Sequence, residues 1–294
     1  MLDCLIIGGG AAGLAAAVYL GRYRRHVVVI DDGASRLAMI PRSRNVLGFP
    51  DGIAGPELRE RMREHAARYD VPLQAGRVEQ LTTREDGTFD AVAGTARIHA
   101  RFVLLATGAW DIEPDIAGLA PSLKAGNVRY CPVCDGYETE GQRVAVLGRE
   151  IHGLRESAFL TTFGNHVTWL SMGSLNAVPQ GELARLQDLG VLVTDHEPHR
   201  IHCAPGQGVT VELPDGQHLE FDVLYPALGL RHASHLATAL GARAQDDGQL
   251  EVDAHFQTSV PGLYAAGDVA VGLNQINVAG GQAAIAATDI HNRL

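Results

Sequence analysis

The chain opens on a short apolar run, Leu2 to Ile7, that stops at Gly8-Gly9-Gly10-Ala11-Ala12-Gly13 and passes into the alanine-rich, helix-forming stretch Leu14 to Tyr23. The β-branched run Val27 to Ile30 follows and ends at Asp31. Strand, glycine turn, helix, strand and acid is the βαβ order of a dinucleotide-binding unit. Residues 34 to 55 are rich in Arg, Pro and Gly and predict a long loop; Glu57 to Tyr69 then predicts an amphipathic helix. Val78 to Leu81, Phe89 to Ala93 and Ala96 to Ala100 predict a small antiparallel element, and the nearly continuous apolar run Phe102 to Ala106 a strand buried on both faces, ending at Thr107-Gly108.

Gly, Pro and acidic residues from Ala109 to Gly118 mark a first chain crossing, and Pro226 to Ser234 a second. Between them a second strand, turn, helix and strand runs through Val144, Gly148, the helical stretch Ser157 to Phe163 and Val167 to Ser171. After the second crossing come Gly262 to Asp268 and a last helical stretch, Gly281 to Asn292. The fold class expected is α/β, with two Rossmann-like dinucleotide-binding domains, the second inserted into the first. Residues 1–112 and 230–294 form the discontinuous domain and residues 113–229 the inserted one.

Composition narrows the function. The length of 294 residues suits one large or two medium domains, and 46% hydrophobic with 20% charged residues excludes disorder as the main state. With 24 basic against 34 acidic side chains, the net charge of -10 argues against nucleic acid as a partner. No stretch approaches the roughly 18 apolar residues of a membrane span. The first residues enter a strand pattern with no basic flank, so a cytoplasmic, membrane-free protein is expected. Four cysteines make no disulfide scaffold, but in a reducing compartment the close pair Cys131 and Cys134 points to catalysis or metal binding.

The chemistry-bearing motifs are two. In Gly8-x-Gly10-x-x-Gly13, the first glycine permits the tight turn, the second lets a pyrophosphate approach the backbone, and the third lets helix and strand pack closely. The helix start then offers N–H groups to the phosphates. Asp31 lies 18 positions after Gly13, near the roughly 20 expected of a ribose-binding acid. In Cys131-Pro132-Val133-Cys134-Asp135, thiols at i and i+3 can close a disulfide at the start of a helical turn, whose end favours a thiolate at Cys131. Pro132 suits the first helical position, and Asp135 can move a proton if burial raises its pKa. A zinc site would need a second cysteine pair; Cys4 and Cys203 stand alone, and no metal is expected. His196, His199 and His202 before Cys203 are interrupted by Pro198 and read as solvated loop and strand edge; Arg36, Arg42 and Arg44 read as a solvated loop group, with steering of an acidic partner or steadying of the flavin as the alternative.

Together, Gly8 to Gly13, Ala106-Thr107-Gly108, Cys131 to Asp135 and Pro261 to Asp268 resemble, in order and over the whole chain, the low-molecular-weight thioredoxin reductase family of flavoproteins. The resemblance implies a non-covalent FAD in the discontinuous domain, a redox disulfide in the inserted one, and usually a homodimer. It implies a flavin site built from Gly8, Gly10, Ala11, Ala12 and Gly13, with Asp31, Asp32 and Val78. Asn45 in the Asn45 to Pro50 segment, Ala106, Thr107 and Gly108, and Gly267, Asp268, Gln275 and Ile276 would complete it. The family usually has an arginine before that glutamine, where this chain has Asn274. By the same analogy Cys134 is the thiol nearer the flavin, Cys131 the nucleophile toward a thioredoxin-like protein or small disulfide, and Asp135 the proton donor.

One departure stands out. A family-type NADPH site wants glycines at 148, 150 and 153 and an arginine-rich segment after the second strand; this chain has Gly148-Arg149-Glu150-Ile151-His152-Gly153 and Ser171-Met172-Gly173-Ser174. Glu150 sets a negative charge where the pyrophosphate would approach, and no guanidinium waits for a 2'-phosphate. The expected donor is therefore other than conventionally bound NADPH: ferredoxin, or another flavin or nucleotide. An atypical nucleotide pose on Arg149 and Arg155 is the bland alternative. A dithiol oxidase delivering electrons to dioxygen and a flavin-binding redox sensor are the competing functions; Asp135 favours the reductase, because oxidase relatives tend to carry histidine there.

Overall fold

A computed structural model describes residues 1–115, 117–204 and 206–294. They form two contact-dense units: residues 1–42, 46–110 and 230–294, and residues 43–45 with 111–229. The short stretch 43–45 and the first crossing from Asp111 onward thus fall with the inserted unit. Among the described residues no helix is long and apolar enough to cross a membrane.

In the first unit, β1 (Leu2–Ile7), α1 (Ala11–Arg22) and β2 (Val27–Asp31) form the βαβ unit, β1 and β2 running parallel with Cys4 opposite Val27. Helix α2 is Gly55–Ala67, two residues earlier than the pattern predicts, because Pro56 fits a first helical turn that has no N–H bond to lose. Strands β3 (Leu73–Ala75), β4 (Gln80–Thr83), β5 (Phe89–Ala93) and β6 (Ala96–Leu105) follow. The three residues of β3 are too few to carry a period, and Val78 lies in the loop before β4 with its side chain buried. The two strands expected around Arg101 are one, β6, which changes partners: Ala96 to Ala100 pair antiparallel with β5, and Val103 to Leu105 lie parallel to a late strand described below. Its other edge pairs parallel with β1.

At the two crossings β7 (Ala109–Asp111) pairs with a returning strand. The inserted unit continues with α3 (Leu119–Ala125), the single turn α4 (Pro132–Asp135), β8 (Arg143–Leu147), α5 (Glu150–Leu160), β9 (His166–Leu170), α6 (Gln180–Asp188) and β10 (Leu192–Thr194). The antiparallel strands β11 (Arg200–Ala204), β12 (Gly208–Glu212) and β13 (His218–Phe221) precede β14 (Val223–Pro226). A four-stranded parallel sheet has the order β10-β9-β8-β14, and β11-β12-β13 form a separate sheet. Helix α5 begins seven residues before the predicted start at Ser157, because Gly153 packs inside its first turns and extends the buried face to Leu154, Ser157 and Leu160. In β11 His202 is exposed and Cys203 buried, as alternation on a strand requires.

The chain returns through β15 (Leu230–His232), the partner of β7, then α7 (His235–Thr238), β16 (Leu263–Ala265) and α8 (Ile276–Asn292). β16 is the late strand beside β6 and completes a seven-stranded sheet. Helix α8 starts five residues before the expected Gly281. Its Ala279, Ala283, Ala286, Ala287 and Ile290 pack with Leu14, Ala16, Ala17 and Leu20 of α1, and that continuous apolar face carries the helix through Gly280 and Gly281.

Candidate active site

In the first unit the strand ends converge on the start of α1. Gly8 has φ +110°, and a Cβ there would collide with the Ala106 carbonyl at the end of β6; a Cβ on Gly13 would collide with the Gly8 carbonyl. Both are demanded by the fold. Gly10 is not: its φ is -86°, and among the described residues a Cβ would meet Ser35 Oγ alone, at 3.3 Å. Its missing side chain leaves the turn open from outside, and as N-cap it offers no side-chain bond to the N–H groups of the first turn, where Ala11 and Ala12 stand. A pyrophosphate fits both features.

The other expected flavin residues in this unit gather around that turn or tie its surroundings. Gly267, φ +79°, donates its N–H to Gln282 Oε1 at 2.7 Å, and a Cβ on it would press on Ala12 Cβ at 3.0 Å. Asp268 accepts from Arg36 Nη1 at 2.7 Å, and its carbonyl contacts His232 Nδ1 at 2.6 Å. Thr107 Oγ1 donates to the Ala233 carbonyl at 2.8 Å, while Gly108 takes φ +70°. Gln275 is the N-cap of α8, and Ile276 packs on Leu37, Ile53 and Leu58. Asp31 is buried; Gly9 N–H donates to its Oδ1 at 3.1 Å and Arg59 Nη2 to its Oδ2 at 2.5 Å. Asp32 is exposed and accepts from the Ala34 N–H.

In the inserted unit Cys131 and Cys134 are joined by a disulfide. Cys131 is the N-cap of α4, Pro132 opens the turn, and Cys134 N–H donates to the Cys131 carbonyl at 2.9 Å. A four-residue helix aligns few peptide dipoles, so the thiolate preference expected at Cys131 from a helix end is small. Asp135 closes the turn; burial pushes its carboxyl up, opposed by a hydrogen bond from Tyr225 Oη at 2.8 Å and by the Arg129 charge. Asn45 belongs to this unit by its contacts, and its Nδ2 donates to the Val133 carbonyl at 3.4 Å. The other cysteines are buried, and burial pushes both thiols up.

The second glycine turn keeps its fold glycines alone. A Cβ on Gly153 would collide with Trp169 Nε1 and the Gly148 carbonyl, and one on Gly148 would lie 2.7 Å from Ala227 Cβ. Glu150, at the place that Gly10 holds in the first turn, has φ +49°, and its N–H is taken by Ser174 Oγ at 2.8 Å. Arg149 is engaged by the Met172 carbonyl and by Glu197. Beyond β9, in the segment where the sequence has no arginine, Ser171 Oγ donates to Asp195 Oδ1 at 2.6 Å.

A family model for the pyridine nucleotide-disulphide oxidoreductases matches residues 2–283. The chain belongs to that family. It is 29% identical over 301 residues to a thioredoxin reductase of Bacillus subtilis, covering 99% of this chain and 94% of the relative. It is 32% identical over 305 residues to an alkyl hydroperoxide reductase component of Pseudomonas putida, covering 98% of this chain but 58% of that longer one. The crystal structure of thioredoxin reductase from Streptococcus pyogenes superimposes with a TM-score of 0.92 at 28% identity, covering 99% of this chain and 97% of that one. The chain is thus a thioredoxin reductase-like FAD oxidoreductase acting on disulfides.

Within this oxidoreductase several site-shaping residues escape a sequence reading. Arg59 on α2 reaches back to Asp31, and Tyr225 on β14 to Asp135, over 28 and 90 residues of chain. No local spacing announces either contact. The arginine group of the first loop divides: Arg36 pairs with Asp268, Arg42 with the Asp51 and Gly52 carbonyls, and Arg44 with Glu138. Arg36 is therefore an ion-pair partner beside the expected flavin site, not part of a solvated group.

Proposed function

We propose that this enzyme passes electrons between FAD and a thioredoxin-like protein or small disulfide through Cys131 and Cys134, and that its electron donor is not conventionally bound NADPH. The observation that carries the first half is the Cys131–Cys134 disulfide followed directly by a partly buried carboxyl, Asp135, which burial pushes up. The contrast between the two glycine turns supports the second half. Where the fold does not require glycine, Gly10 keeps the first turn open, whereas Glu150 fills the corresponding place and Ser174 occupies its N–H.

The N–H groups after Gly10, with Asp268 and the α8 start nearby, would hold FAD, whose chemistry there would be that of a two-electron carrier. The chain's own part lies in its thiols and carboxyl. On reduction of the disulfide two electrons enter the S–S bond and two thiolates result, of which Asp135 protonates one. A substrate disulfide is then attacked by the Cys131 thiolate, and Cys134 resolves the mixed disulfide, restoring the Cys131–Cys134 bond and releasing the reduced substrate. Reduced ferredoxin, or another flavin or nucleotide, is the donor class this reading favours, and a homodimer in the cytoplasm is its expected setting.

Anaerobic stopped-flow mixing of the FAD-loaded protein with NADPH, NADH and reduced ferredoxin, followed at the flavin absorbance, tests the donor. Slow bleaching by micromolar NADPH and fast bleaching by ferredoxin are expected; fast bleaching by NADPH overturns the donor assignment. Peroxide formation from a small dithiol, with no reduction of thioredoxin, would replace the reductase with a dithiol oxidase.

A further inference from the structure

Every residue of β14 is buried, and Tyr225 is 0% exposed, packed in the cluster of Val144, Val146, Leu154 and Trp169. A phenylalanine would fill that apolar place. The hydroxyl is what distinguishes the residue, and it points to one acceptor: Tyr225 Oη donates to Asp135 Oδ1 at 2.8 Å. Arg129, two residues before Cys131, completes the group. Its Nε donates to the Gly126 carbonyl at 2.8 Å and its Nη1 to the Asp135 carbonyl at 3.0 Å, and Nη1 stands 3.9 Å from Asp135 Oδ2. The Arg129 charge also acts on the Tyr225 hydroxyl, opposing the effect of burial and of Asp135 on it. Tyr225 and Arg129 thus reach the same residue, the first at the carboxylate oxygen and the second at the backbone carbonyl with the carboxylate close by.

We propose that Tyr225 and Arg129 are positioning residues that hold the Asp135 carboxyl in one orientation for proton transfer at the Cys131–Cys134 pair. This rests on the thiol–disulfide reading above and extends it to two residues outside the Cys131 to Asp135 motif. Four groups face the carboxyl: Tyr225 from β14, Arg129 from the segment before α4, Glu138 from the turn after it, and Arg44 from residues 43–45. Burial favours the protonated acid, Tyr225 and Arg129 favour the carboxylate, Glu138 opposes them and Arg44 adds to them weakly. The acid therefore gives up its proton into a site already arranged to receive the negative charge.

Opening of the disulfide by dithiothreitol isolates this step from the unknown donor. One dithiothreitol thiolate attacks Cys131 Sγ, the S–S bond breaks, and Cys134 leaves as a thiolate that takes the proton of Asp135. The second dithiothreitol sulfur, deprotonated, displaces Cys131. Cyclic oxidised dithiothreitol departs with two electrons fewer, and the enzyme holds a dithiol once Cys131 and Asp135 have each regained or settled a proton with solvent.

The test is made on the FAD-loaded protein with two readouts: the infrared carbonyl band of protonated Asp135, identified by its loss in Asp135→Asn, and the pH profile of disulfide opening. In Tyr225→Phe both midpoints are expected to move up by about one to two pH units, because a hydrogen bond to the charged form is lost. Arg129→Lys, which keeps a charge but loses the fork, should move them the same way by less. Unmoved midpoints in both variants overturn the positioning role while leaving the disulfide reading intact. An Asp135→Asn enzyme that opens its disulfide at the wild-type rate at every pH instead removes Asp135 from the step, and the proposal with it.

Discussion

Arg59 Nη2 meets Asp31 Oδ2 at 2.5 Å, with side-chain exposures of only 15% and 9%, so the acid at the end of β2 is held by a helix 28 residues further along the chain. Arg59→Ala would leave that carboxylate with the N–H groups of Gly9 and Gly33 and the more distant Arg63. A loss of about 1–3 kcal/mol is expected in urea denaturation of the unit. Arg63→Ala, by contrast, removes a half-exposed side chain 4.0 Å from the acid and should cost no more than about 0.5 kcal/mol.

Glu150 is a second place where sequence and backbone disagree, since φ +49° is a region that side chains rarely adopt. Glu150→Gly relieves that conformation but loses a charge at the helix start and adds freedom to the unfolded chain. We expect stability unchanged or raised by up to about 1 kcal/mol. Glu150→Val, β-branched at the same φ, should lose about 1–2 kcal/mol. Denaturation midpoints of the two variants check both signs.

Glu156 on α5 is pushed up to about 7 by burial and, secondarily, by Asp111, and its Oε2 has no hydrogen-bond partner among the described residues. An acid whose folded value is raised contributes stability below its unfolded value of about 4.5 that is lost as pH rises through the folded one. Stability should therefore fall by on the order of 3 kcal/mol between about pH 4.5 and 7 on this account alone. Glu156→Gln should flatten that window and be the more stable protein at pH 8, as read from denaturation curves across pH.

Cys134→Ser leaves the first unit untouched and should retain FAD at wild-type stoichiometry while abolishing disulfide turnover. Flavin content by absorbance and turnover with thioredoxin check the two halves. A variant that still turns over would remove Cys134 from the pathway.

The outline of both units is legible in the sequence because buried parallel strands are written as apolar runs ended by glycine: Leu2 to Ile7 and Val144 to Leu147 are read nearly to the residue, and Phe102 to Leu105 marks where the longer β6 ends. The late starts expected for α5 and α8 trace to glycines. Gly153, Gly280 and Gly281 suggest helix breaks, yet each lies within a helix whose buried face continues past it. The site divides in the same way. The Cys131 to Asp135 motif is local and can be read from neighbours, whereas the clamps on Asp31 and Asp135 are tertiary. Pattern alone also cannot tell a glycine required by packing, such as Gly148, from one left open, such as Gly10. Only the atoms that a Cβ would meet separate them.

The burial of Cys4 and Cys203 has a practical meaning for anyone following this enzyme. Sealed from solvent and held as thiols, they stay silent toward alkylating reagents while the fold is intact. A thiol count on the native protein is then a gauge of charge state: none when the Cys131–Cys134 pair is oxidised, two when it is loaded. On the proposed function, quenching and labelling during turnover would then report how much of the pair is reduced, with no mutation and no optical signal from the flavin.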